Sequence, residues 1–433
     1  MARSLALIGV AFGLVSSPSA FARVPSQAAS RAASDDPALN SLLEKAQGDI
    51  ENQDYAAAAE KYQDYLAQRP DDAEVHFQLG YCYTALQKND QARGEYQKAT
   101  ELDPKMAPAF LNLGLTELST NPGAAVAPLE HAAELMPDQE RPKLLLATAL
   151  AHSGKTDQAI AQYEAAEKVD PNDGQLHRDF GATLLGANRP ADAEKQLRAA
   201  LAVDAQDAEA NRMLGECLAA EGKYDESASQ LTSYLSSKPG DDKTRFALVS
   251  MLIREAKYDE AIAELDRATP AAQGSLAALE LRFNALEGAK RYDEALATLA
   301  KAEAVAPGEA DIHAKMARLY LDKKDYAHAA EEFIADLKIQ PTDGDALAGL
   351  VSAEYSVKDY GDTLKAIDLL SKQKALSTQT LFIQADCYDK LGKKPEALDS
   401  YDKFLAANTD RNSDMYFAAA ERARVLHREL GKH

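Results

Sequence analysis

The sequence predicts an all-α fold, a right-handed α–α superhelix of about eleven helical hairpins, on the strength of three residue ladders. Ala159, Ala193, Ala261, Ala295, Ala329 and Ala397 are separated by 34 residues or whole multiples of 34, with Ser227 and Thr363 in the two missing slots. Ala58, Ala92 and Ala125 extend the series upstream with one step of 33. Tyr224, Tyr258, Tyr292, Tyr326 and Tyr360 repeat the 34-residue step. Pro70, Pro104, Pro137 and Pro171, then Pro239, Pro307 and Pro341, form the third ladder. Self-similarity at such a period marks a stack of two-helix units. Abundant Ala and Leu, no Trp, and scattered Gly and Pro agree with helices joined by short turns.

Each ladder has a packing reason. Antiparallel helices approach closely only where side chains are small, which accounts for Gly80, Gly114, Gly181, Gly215 and the Ala ladder. Larger apolar residues fill the remaining space, such as Leu79, Leu113 and Leu214 in first helices and Tyr96, Tyr163, Leu231 and Phe333 in second helices. A terminal Pro disfavours helical geometry in the residue before it and ends the second helix. A lone hairpin cannot bury its apolar face, so neighbours stack.

Residues 73–106 resemble the tetratricopeptide repeat nearly throughout. Leu79-Gly80 and Tyr83 fall in the first helix, Ala92, Tyr96 and Ala99 in the second, and Asp103-Pro104 closes the unit. On this register units start near Leu39, Ala73, Ala107, Glu140, Gly174, Ala208, Asp242, Leu276, Ala310, Gly344 and Thr378, covering about residues 39–411.

Taken in order, residues 1–22 read as an export signal. Arg3 supplies the positive start, Leu5 to Val15 an apolar run, Ser16 to Pro18 a break, and Ala20-Phe21-Ala22 a cleavage site before Arg23. The run is too short to span a bilayer, and no later stretch reaches the required length. With no Cys before Cys82, a lipoprotein anchor at the cleavage point is excluded. Residues 23–38, rich in Ala, Ser and Pro, read as a flexible leader ahead of the array. Within the array, unit three is one residue short, with Asn121-Pro122-Gly123 at its inner turn. Unit seven breaks at Thr269-Pro270 and continues into a loose Ala271 to Gly274 loop, and unit ten runs into unit eleven through Ser371 to Thr380 without a Pro; both are candidate bends. Residues 412–433 read as a capping helix and tail. Asn412 or Ser413 starts it, Gly431 ends it, and Met415, Ala419, Ala423, Leu426 and Leu430 form one apolar stripe. Such a seal argues against open-ended stacking and favours a monomer.

Lys and Arg total 48 against 69 Asp and Glu, a net charge of −21 that repels phosphate backbones and argues against nucleic-acid binding. No Gly-rich phosphate loop, H-E-x-x-H or C-x-x-C occurs, so neither catalysis, a metal nor a cofactor is expected. His76, His177 and His313 share the fourth position of the first helix and read as packing residues. Cys82, Cys217 and Cys387 share the tenth position in units two, six and eleven, too far apart along a stack to pair, and read as free, buried thiols.

The resemblance implies a protein or extended-peptide partner in the concave groove lined by the first helices. The groove positions are carried over as Phe77, Tyr81, Leu111, Asn112, Arg178, Arg212, Met213, Lys315 and Arg318. Phe77, Tyr81 and Asn112 read as a peptide site, with Arg178, Arg212 and Arg318 as charged anchors. The family's clamp for a C-terminal carboxylate is incomplete, since its positions in units one to three hold Leu43, Gln47, Gln78, Pro108 and Asn112. The expectation is a non-enzymatic adaptor exported across the inner membrane of a bacterium, periplasmic or, alternatively, secreted. The other reading is a regulatory or substrate-recruiting subunit of an envelope polysaccharide or secretion enzyme.

Overall fold

The structure, a computed structural model, describes residues 36–431. The described residues form α-helices and no strand. The export signal and most of the expected leader lie outside them. The chain forms two compact units that divide between Lys238 and Pro239.

In the first unit the hairpins are α1 (Pro37–Glu51) with α2 (Tyr55–Leu66), α3 (Ala73–Ala85) with α4 (Asn89–Leu102), and α5 (Ala107–Leu118) with α6 (Pro122–Leu135). They continue as α7 (Glu140–His152) with α8 (Thr156–Glu167), α9 (Gly174–Gly186) with α10 (Pro190–Val203), and α11 (Ala208–Ala220) with α12 (Tyr224–Ser237). The second unit begins with α13 (Asp242–Arg254) and α14 (Tyr258–Asp266), followed by the single turn α15 (Pro270–Gln273). Then come α16 (Leu276–Gly288) with α17 (Tyr292–Val305), α18 (Ala310–Asp322) with α19 (Tyr326–Ile339), and α20 (Gly344–Ser356) with α21 (Tyr360–Ser371). The unit closes with α22 (Thr378–Lys390), α23 (Lys394–Ala407) and α24 (Asp414–Glu429).

From α3 onward every first helix starts on the residue at which the ladders start its repeat. The first hairpin begins slightly earlier, at Pro37, because the Asp36 carboxylate accepts the Ala38 N–H at 2.8 Å and Pro fits the first helical turn. Asp caps recur at first helices: Asp72, Asp173, Asp207, Asp241 and Asp343 each accept backbone N–H groups that the helix leaves unpaired.

The inner turns share one backbone device. Gln53, Gln87, Gly154, Asn188, Gly222, Ala256, Lys290, Lys324, Lys358 and Gly392 all have positive φ just before the second helix. In the third hairpin the missing residue removes this left-handed position. Asn121 instead caps α6 with φ −146° and accepts the Ala124 N–H.

The expected loose loop after Thr269 is ordered. Thr269 caps α15, its hydroxyl donates to Asp242 Oδ2 at 2.5 Å, and the Gln273 amide donates to the Asp266 and Ala268 carbonyls. Pro at the first position and a Thr cap are helix-start signals, and here they act over a single turn.

Between paired helices the small-against-large rule holds in detail. A Cβ added at Gly80 would lie 2.8 Å from the Tyr96 ring, and one at Gly215 would lie 2.6 Å from Leu231. The Ala ladder is buried throughout, as are Tyr62, Tyr96, Tyr163, Leu197 and Leu231. In α24, capped by Ser413, the residues Ala419, Ala423 and Leu426 are buried, whereas Met415 is exposed. No described helix is long and apolar enough to cross a membrane.

Candidate functional site, the face of the first helices

First helices approach one another from hairpin to hairpin: α5 meets α7, α7 meets α9 and α9 meets α11 in the first unit. In the second unit α13 meets α16, α18 meets α20 and α20 meets α22. Among the described residues, no two second helices pack against each other to a comparable extent. Where these contacts occur the stack curves toward its first helices, which form its inner face.

The residues expected to line that face fall into two groups. Phe77, Tyr81, Leu111, Asn112 and Met213 are buried within the packed hairpins. Phe77 packs on Tyr96 with ring centroids 5.8 Å apart, and Tyr81 meets Tyr55 of the preceding hairpin edge-on at 6.2 Å. Asn112 donates to the buried Tyr96 hydroxyl at 3.4 Å, and Thr84 lies 3.0 Å from the same oxygen. These side chains set the spacing of the first three hairpins. The carried-over positions were periodic, but Phe77 is covered by the second helix of its own hairpin and Tyr81 by that of the preceding one.

Arg178, Arg212, Lys315 and Arg318 reach the surface, and the structure supplies partners for three of them. Arg178 donates to Asp207 Oδ2 at 2.7 Å and lies 3.5 Å from Asp179, joining α9 to the start of α11. Burial pushes the Asp179 carboxyl up to about 6 against the opposing pull of Arg178. Arg212 is held between Glu209 at 2.9 Å and Glu216 at 2.6 Å on its own helix. Lys315 pairs with Asp311 at 2.5 Å and sits 5.6 Å from the centroid of the Phe283 ring. Arg318 lies one turn further along α18 and is exposed. Asn284 and Glu280 on α16 are exposed beside this region.

The acids flanking Arg212 and Lys315 are legible in the sequence, because three- and four-residue spacing puts them on one helix face. The Arg178–Asp207 pair spans two hairpins, and the Lys315–Phe283 contact also joins different helices, so neither follows from local spacing. Pre-paired cations of this kind can exchange a carboxylate for one on an incoming chain without exposing a bare charge.

The His residues of the fourth position have a role beyond packing. His76 Nδ1 lies 2.6 Å from Glu95 and its Nε2 lies 2.8 Å from the Pro70 carbonyl oxygen. His177 repeats this with Gln196 at 2.6 Å and Pro171 at 2.9 Å, and Arg245 with Glu264 at 2.7 Å and Pro239 at 2.6 Å. His313 keeps the side-chain half, 2.8 Å from Glu332. Each polar staple ties a first helix to its second helix, and three of them also to the preceding turn. The sequence signal is a polar residue followed nineteen positions later by Glu or Gln. Cys82, Cys217 and Cys387 are free and buried, and burial pushes the Cys82 thiol up to about 12. Among the described residues no cluster of His, Cys, Asp and Glu has metal-holding geometry.

The chain belongs to the tetratricopeptide-repeat family. A family model described as the Cilia and flagella-associated protein 70 C-terminal domain matches residues 15–249, and tetratricopeptide-repeat models match residues 218–282, 286–354 and 379–408. The Protein CTR9 homolog of Arabidopsis thaliana is 42% identical over 67 residues, which is 16% of this chain and 6% of that protein. The chain thus matches only a small part of that relative's length. Among solved structures, YrrB, described as a TPR protein with an unusual peptide-binding site, is 20% identical with a TM-score of 0.39. That match covers 43% of this chain and 96% of YrrB. MamA from Desulfovibrio magneticus RS-1 is 16% identical with a TM-score of 0.38, covering 40% of this chain and 99% of MamA. Fold and family define a scaffold for protein–protein interaction, in a family whose members are typically non-catalytic.

Proposed function

We propose that this chain is an exported, non-enzymatic adaptor that holds an extended peptide or protein segment along the face of its first helices. The observation that carries the reading is the close approach of successive first helices, which presents a polar face of paired cations and acids. On this reading Arg178 and Arg212 in the first unit, and Lys315 and Arg318 in the second, make charge-assisted hydrogen bonds to partner carboxylates or carbonyls. Met213 packs beside Arg212 on α11, while the buried Phe77, Tyr81, Leu111 and Asn112 hold the second and third hairpins in place further along the same face. Export rests on the signal-like residues 1–22, and it leads to a periplasmic site or, alternatively, to secretion.

The test is in-cell crosslinking of the mature chain, with partners and crosslinked peptides identified by mass spectrometry. One dominant partner crosslinked to α9, α11 and α18, with yield cut several-fold by Arg178→Ala combined with Arg212→Ala, is the expected result. Crosslinks spread evenly over second helices, or yield indifferent to both substitutions in a folded protein, would overturn the groove reading. Intact mass of the recovered chain tests export separately: a mature N-terminus at Arg23 supports it, and retention of Met1 to Ala22 refutes it.

A further inference from the structure

Near the end of α19, Asp336 occupies a slot that every other hairpin gives to an uncharged residue. Ala99, Ala132, Ala166, Ala200, Ala268 and Ala302 hold it in six hairpins, and a Tyr, Leu or Phe holds it in the others, all of them buried. Asp336 is 0% exposed, and neither carboxylate oxygen has a hydrogen-bond partner. A buried acceptor in this state costs its full desolvation, and more when charged.

The surrounding groups do not relieve it. On α18 the charged neighbours are Asp311, His313 and Arg318, and at the start of α20 the neighbour is its capping residue Asp343. His313 is committed to Glu332 on α19, one turn before Asp336, and its other ring nitrogen lies 3.7 Å from Glu303. Asp343 caps α20 and accepts the Asp345 and Ala346 N–H groups at 2.8 and 2.9 Å. Arg318 is exposed at the surface. α19 packs on α20, and Asp343, which caps α20, is the largest in effect of the charges acting on Asp336.

We propose that Asp336 makes the junction of the ninth and tenth hairpins, α19 against α20, a proton-operated latch that is closed while the carboxyl is neutral and opens locally when the proton is released to solvent. Burial first, and then the Asp343 carboxylate, hold the Asp336 carboxyl above its ordinary value of 3.8 in the packed state. The sign follows: a group whose folded value is raised disfavours the packed state as pH climbs from the ordinary value through the raised one, and the full loss persists above it. Acidification therefore closes this junction, opposite to the usual acid response of paired carboxylates.

The test is hydrogen–deuterium exchange of the full chain, with α13 and α14, which contain no His, as an internal reference that cancels the intrinsic pH dependence of exchange. At pH 7.5 Asp336→Ala, which restores the residue of six other hairpins, should slow exchange in α19 and α20 by about ten-fold or more relative to wild type. Asp336→Asn, neutral and of the same shape, should move in the same direction by less. Lowering the pH toward the ordinary carboxyl value should narrow the difference between wild type and each variant, while the response of the His313–Glu332 pair is common to all three chains and cancels in that difference. Equal or faster exchange in Asp336→Ala and Asp336→Asn at pH 7.5, or a difference between wild type and variants that stays the same on acidification, overturns the proposal.

Discussion

The guanidinium of Arg245 donates to Glu264 Oε2 at 2.7 Å and to the Pro239 carbonyl at 2.6 Å, so one buried cation ties α13 to α14 and to the turn before it. Removing one partner of such a pair leaves the other buried and uncompensated. Arg245→Leu should cost about 3 kcal/mol. Arg245→His should cost less, because His fills the same slot in three other hairpins. Urea unfolding combined with exchange of α13 amides checks both; an Arg245→Leu chain as stable as wild type would show that the staple is ornamental.

Gly114 lies under Leu129, and a Cβ there would sit 2.4 Å from Leu129 Cγ. Gly114→Ala should destabilise the third hairpin by about 1–3 kcal/mol through overpacking. Adding Leu129→Ala should recover part of that loss, so the double variant costs less than the sum of the singles. Strict additivity in a denaturation cycle would mean the two residues do not share the space.

His76 faces two acceptors, the Glu95 carboxylate and the Pro70 carbonyl, and only a doubly protonated ring can donate to both. The hydrogen bond to Glu95 is the largest influence and holds the ring above its ordinary value of 6.5. The stability it contributes is fully present below that ordinary value and is lost as pH rises through the raised one. The urea midpoint of the first unit should therefore fall as pH rises above the ordinary value of 6.5, and His76→Gln should flatten the fall. An unchanged slope in His76→Gln would assign the pH dependence to other groups.

Ala256 holds the left-handed inner turn of the seventh hairpin at φ 56°, where Gly has no steric cost. Ala256→Gly should stabilise the second unit by up to about 1 kcal/mol, less whatever the freer unfolded chain gives back. Ala256→Val should destabilise it. Melting temperatures of the three proteins settle the order, and a lower one for Ala256→Gly than for wild type would contradict the steric account.

The repeat, its register and the helix starts were legible in the sequence, because close helix approach forces small residues onto fixed positions and Asp or Pro marks many of the boundaries. The single-turn helix after Thr269 was missed for want of periodicity, since a lone turn carries none. The candidate site was legible only in part. Spacing along one helix pairs Arg212 with Glu209 and Glu216, whereas Arg178 with Asp207, Lys315 with Phe283 and His76 with Glu95 join separate helices. A repeat register names the positions that can face the groove, but not which are covered by the next hairpin. Phe77 and Tyr81 lie under packed neighbours, and Arg178 and Arg318 do not. The sequence by itself determined the two-helix unit and its stacking, since these follow from side-chain size and backbone propensity within one period. Only the tertiary structure decided which side chains reach solvent and which polar groups find partners, because burial and hydrogen bonding depend on the approach of residues that one or more repeats separate.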